Sequence, residues 1–173
     1  MHSFAYKNGT LYCENVNLQE LADKESTPLY VYSKQTILNH FHRLREALAP
    51  LNAEVAYAVK ACSNIAILNL MARNGAGFDI VSGGELFRVL KAGGDPSKCT
   101  YAGVGKTEQE IRYALAQGIY CFNVESEAEL LSEDQMLGAV VFVIFAMFLE
   151  QMLHLAMSAV FGGNAQIHYY RQG

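Results

Sequence analysis

Basic residues all but disappear from the later part of this 173-residue chain: of its 13 Lys and Arg, only Arg171 follows Arg112. No basic run occurs, nor any interleaving of basic with aromatic residues. With a formal net charge of −4, no nucleic-acid partner is expected. Cys13, Cys62, Cys99 and Cys121 stand too far apart for a CxxC pair or a Cys/His ligand set, so reduced thiols in a cytoplasmic protein are expected. His40 and His42 have no ligand at metal spacing, and Glu150 with His154 lacks the rest of an HExxH motif, so no metal site is expected. Residues 1–7 lack the apolar core of a signal peptide. No G-x-G-x-x-G follows the first strand candidate. Gly105-Lys106-Thr107 does not complete a phosphate loop either, because Thr100 stands where that motif needs its first glycine.

What is present is an alternation. Short apolar runs at 29–32, 54–60, 77–81, 98–102 and 119–124 read as strands. Amphipathic stretches at 34–48, 65–74, 84–91 and 108–117, and another starting at Glu127, read as helices. Ser82-x-x-Glu85, Thr107-x-x-Glu110 and Ser126-x-x-Glu129 are capping-box sequences placed straight after strands. Gly75, Gly93 and Gly118 fit helix exits that need positive φ. Strands alternating with such helices predict parallel βα units, and their regularity suits part of a (β/α) barrel, which takes about 250 residues when complete. Residues 1–27 stand outside this rhythm and predict a small β piece, with a hairpin turn at Asn8-Gly9.

Lys60 closes the apolar run 54–60. An ammonium buried there without a partner costs several kcal/mol. Desolvation would free the neutral amine, the form that condenses with carbonyls. The alternative is a lysine that has left the strand and points into solvent.

Several segments together resemble one family. They are Thr27-Pro28-Leu29-Tyr30-Val31-Tyr32, Tyr57-Ala58-Val59-Lys60-Ala61, the stretch from Gly75 through Asp79 to Leu86, Tyr101-Ala102-Gly103-Val104-Gly105-Lys106-Thr107, and Phe122-Asn123-Val124-Glu125-Ser126. Over residues 1 to about 131 the chain resembles the fold-type III pyridoxal-phosphate decarboxylases, in particular the diaminopimelate decarboxylase group. The resemblance implies the first four βα units of an alanine-racemase-like, TIM-like barrel. It also implies pyridoxal 5'-phosphate as cofactor, Lys60 as the residue that carries it, and decarboxylation of meso-diaminopimelate to L-lysine. It places Asp79 beside the cofactor; the alternative is a strand-end aspartate accepting backbone N–H groups. Ser82 reads as a helix N-cap in preference to a cofactor contact. A homodimer with a small amino-acid substrate is implied as well.

After residue 131 the legible motifs stop. The histidine that stacks on the cofactor ring, the glycine-rich phosphate loop, the Glu-Pro-Gly-Arg segment and the Cys and Tyr motifs of a C-terminal β domain do not occur in the sequence. The chain is therefore expected to be truncated and inactive alone. Residues 136–149 carry no charge, and the apolar character continues beyond Glu150-Gln151. Residues 132–173 thus form a divergent apolar segment with three open readings. It is a buried or oligomer-forming helix, a membrane contact through residues 136–161, or a tail with no evolved role. On the second of these, the chain is a non-catalytic half barrel that binds a membrane or partner.

Overall fold

The computed structural model describes residues 2–51 and 53–124. The chain divides into two compact units, Met1–Val55 and Ala56–Gly173. In the first, β1 (Phe4–Lys7), β2 (Thr10–Cys13) and β3 (Val16–Asn17) form an antiparallel sheet in that order. Asn8 and Gly9 take φ of 51° and 81°, the left-handed pair that a two-residue hairpin turn requires. Helix α1 (Leu18–Glu25) was not expected. Its signal was present, however: Asn17 accepts from the N–H groups of Gln19 and Glu20, and its amide donates to the Glu20 carboxylate at 2.8 Å. Helix α2 (Lys34–Leu48) forms where its periodicity predicts, capped by Ser33 and burying Phe41.

The strand expected at 29–32 is not formed. A strand exists only through its ladder, and no described strand pairs with this segment; Leu29, Tyr30 and Tyr32 are exposed. Alternating apolar residues gave it strand propensity without supplying a partner.

The second unit carries a parallel sheet in the order β4 (Ala56–Ala58), β5 (Gly77–Ile80), β6 (Cys99–Tyr101) and β7 (Cys121–Phe122). Helices α3 (Ile65–Arg73), α4 (Gly83–Lys91) and α5 (Glu108–Gln117) alternate with the strands. Each strand is shorter than its apolar run, and at β4 the chain winds after Ala58 into a 3-10 turn, Val59–Ala61. Phe78, Ile80, Cys99, Tyr101 and Phe122 share one face of the sheet and are buried with Leu68, Leu86, Val89, Ile111 and Ala114 of the three helices. Gly77 is required by close approach, since a Cβ there would lie 2.7 Å from the Lys98 carbonyl oxygen. The three exit glycines all take positive φ, 82° at Gly75, 80° at Gly93 and 70° at Gly118.

Thr107 and Glu110 form the complete capping box of α5. Thr107→Ala is expected to cost about 1 kcal/mol of stability, measured by urea denaturation. At α4 the box is only half formed: Ser82 caps Glu85 N–H, as its N-cap reading predicts, but the Glu85 carboxylate goes to Val81 N–H. The third box, at Ser126, and the apolar helix expected within 132–173 lie outside the described residues. Among the described residues, no helix is long and apolar enough to cross a membrane.

Candidate functional site

Lys60 lies in the 3-10 turn at the C-terminal end of β4, with Val59 beside it fully buried. Its own side chain is exposed. The burial expected of it from the apolar run 54–60 is therefore not seen among the described residues. The strand ends two residues early, at Ala58, and Lys60 falls in the 3-10 turn that follows. The turn itself is braced. Tyr57 donates its hydroxyl to the Cys62 carbonyl at 3.1 Å, and Arg88 of α4 reaches the Ser63 carbonyl at 3.4 Å.

Parallel register sets Ala58, Asp79, Thr100 and Cys121 side by side across the four strands. These residues alternate with the helix-facing ones and so occupy the opposite face. Among the described residues Asp79 accepts no backbone N–H, which its alternative reading required. The Thr100 hydroxyl donates to Asp79 Oδ1 at 3.3 Å, and Oδ2 has no hydrogen-bond partner among the described residues. Nothing in the local sequence around Thr100 marks it as a partner of Asp79. Its place beside Asp79 follows from strand register, which single-sequence periodicity does not contain.

At the same end of the sheet, Lys106 donates to the carbonyl oxygens of Gly103 (2.9 Å) and Asn123 (2.8 Å), tying the β6–α5 loop to the end of β7. Glu110 Oε1 accepts from Gly83 N–H at 2.8 Å, while Oε2 accepts from the N–H and hydroxyl of Thr107. The Gly83 hydrogen bond, followed by those from Thr107, holds the Glu110 carboxyl below its ordinary value of 4.5. A lowered folded pKa contributes stability that is present above the unfolded value and lost as pH falls through the folded one. The stability difference between the wild type and Glu110→Gln is therefore expected to shrink as pH drops below about 4.5, read by urea denaturation at stepped pH. Burial, then the Glu110 charge, pushes the fully buried Tyr101 phenol up.

All four cysteines are unbridged. Burial pushes the Cys99 thiol up to about 12 and raises that of Cys121, so neither is a nucleophile at neutral pH. No cluster of three metal-ligating side chains occurs among the described residues.

The family described as "pyridoxal-dependent decarboxylase, pyridoxal binding domain" matches residues 34–149, past the point where the motifs cease to be legible by eye. The chain belongs to this family. Among its curated relatives, the diaminopimelate decarboxylase of Haemophilus influenzae is 50% identical over 138 residues, which cover 80% of this chain and 33% of the relative. That of Vibrio cholerae is 51% identical over 139 residues, again 80% of this chain and 33% of the relative. Among solved structures, the diaminopimelate decarboxylase of M. jannaschii in co-complex with L-lysine superposes with a TM-score of 0.75 at 34% identity, covering 80% of this chain and 34% of that one. This member of the family thus spans about a third of the length of the relatives it matches.

Proposed function

We propose that this chain is the lysine-bearing part of a pyridoxal phosphate-dependent decarboxylase that converts meso-diaminopimelate to L-lysine and carbon dioxide. The observation that carries the reading is the exposed Lys60 amine at the C-terminal end of a parallel strand, in a chain of the pyridoxal-binding family. The names of the curated relatives supply the substrate.

The residues present fit the cofactor. Lys60 offers an amine open to solvent, and Asp79 offers a carboxylate with one uncommitted oxygen on the face that also carries the small side chain of Ala58. Bound pyridoxal phosphate supplies an electron sink for the pair left on carbon when carbon dioxide departs. Lys60 Nζ would hold the cofactor and return a proton to that carbon, so that one C–C bond breaks and one C–H bond forms. Asp79 would present its carboxylate to the bound cofactor, with the Thr100 hydroxyl donating to Oδ1. In this reading residues 1–27 are an N-terminal β segment that also carries α1, 28–131 part of a (β/α) barrel and 132–173 a separate apolar segment. The protein works in the cytoplasm as a homodimer.

The test is to mix the chain with pyridoxal phosphate, reduce with borohydride and map the adduct by mass spectrometry, then assay carbon dioxide release from carboxyl-labelled meso-diaminopimelate. A saturable adduct on Lys60 supports the cofactor assignment. An adduct spread over surface lysines overturns it. A Lys60 adduct without carbon dioxide release keeps the cofactor site and rejects turnover by this chain alone.

A further inference from the structure

Two carboxylates from different helices grip the turn that leaves β5. Glu85 Oε2, from α4, accepts from Val81 N–H at 2.8 Å, and Glu110 Oε1, from α5, accepts from Gly83 N–H at 2.8 Å. Between them Ser82 Oγ accepts from Glu85 N–H at 3.2 Å. The capping box of α5 uses only Glu110 Oε2, so the second oxygen is free to reach the neighbouring helix. Gly83 permits that reach, because a Cβ there would meet Glu110 Cγ at 3.0 Å. The same helix α4 that Glu110 holds at its start extends Arg88 to the Ser63 carbonyl, just beyond the turn bearing Lys60. Asp79 stands two residues before the gripped Val81. One inter-helix hydrogen bond therefore anchors the start of α4, which follows the strand carrying Asp79 and reaches Ser63 beyond the Lys60 turn.

We propose that Glu110 is a positioning residue, which through the Gly83 N–H fixes the β5–α4 turn and with it the Asp79 carboxylate relative to the Lys60 turn. This rests on the functional reading above. Among the described residues, the ionisable groups that face Glu110 are Tyr101 from β6 and, around that phenol, Glu85 from α4; Lys106 lies 5.7 Å from the centre of the Tyr101 ring.

The test uses the full chain, with Glu110→Ala and Glu110→Gln compared in two measurements. One is amide hydrogen exchange at residues 79–84, and the other is the pyridoxal phosphate concentration that half-saturates the borohydride-fixed Lys60 adduct. For Glu110→Ala, exchange at residues 81–84 is expected to quicken about tenfold and the half-saturating concentration to rise about tenfold, the scale of one lost charge-assisted hydrogen bond. Glu110→Gln, whose amide oxygen still accepts from Gly83, is expected to regain most of both. If Glu110→Ala does not fold, Gly83→Ala replaces it, since the added methyl displaces the Glu110 side chain. Unchanged exchange overturns the proposal, and so does faster exchange with an unchanged half-saturation. A wild-type chain that forms no Lys60 adduct overturns the functional reading instead, and the exchange comparison alone then decides whether Glu110 clamps the turn.

Discussion

Lys60→Ala is expected to remove the borohydride-stable pyridoxyl adduct completely, with the fold unchanged by circular dichroism. The size of the effect follows from the chemistry: an alanine side chain has no nitrogen to condense with an aldehyde. Lys106, at the same end of the sheet, is committed to the Gly103 and Asn123 carbonyl oxygens. Lys91 lies over the Phe87 ring, Lys7 over that of Tyr12, and Lys24 pairs with Glu25. Because the Lys60 side chain is exposed and Val59 alone supplies the buried anchor of its turn, removing it costs little packing. Aldehydes label any surface lysine slowly, so the discriminating measurement is saturation at low cofactor concentration together with the mapped position. Residual saturable labelling in Lys60→Ala would move the cofactor site elsewhere.

Phe78→Ala is expected to cost about 3–5 kcal/mol, a large share of the stability of a domain this size. Phe78 is fully buried on β5, the strand that also carries Asp79. Its surroundings leave no slack: a Cβ added at Gly94 would already lie 2.9 Å from Phe78 Cε2 and 2.5 Å from Val89 Cγ1. A core this close-packed relaxes only partly into the space a phenyl ring vacates, so a cavity term adds to the lost transfer energy. Urea denaturation checks this through a shifted midpoint at unchanged slope. A loss below about 1 kcal/mol would mean that α4 collapses onto β5 and the packing is softer than the buried side chains imply.

Most of the helices and parallel strands could be read from the chain, because the physics behind them is local. Helices α2 and α5 begin and end where the residue pattern places them, since a capping side chain and an amphipathic stripe are properties of neighbouring residues. The positive φ at Gly75, Gly93 and Gly118 follows in the same way. The segment at 29–32 failed because strand propensity does not create a ladder. Helix α1 was missed because a polar eight-residue helix with no buried residue leaves little trace beyond its Asn17 cap.

The site divides along the same line. Local sequence placed Lys60 at the end of one apolar run and Asp79 within the next, and marked Ser82 as a helix cap. Burial of the Lys60 amine could not be inferred, because it depends on where β4 stops, and the 3-10 turn at Val59–Ala61 ends it early. Thr100 beside Asp79, and Glu110 on Gly83, were decided only by the tertiary structure. The first depends on the register of two parallel strands and the second on the approach of two helices. Both join residues more than twenty positions apart, where hydrogen-bond geometry is set by packing and leaves no periodic signature in the chain.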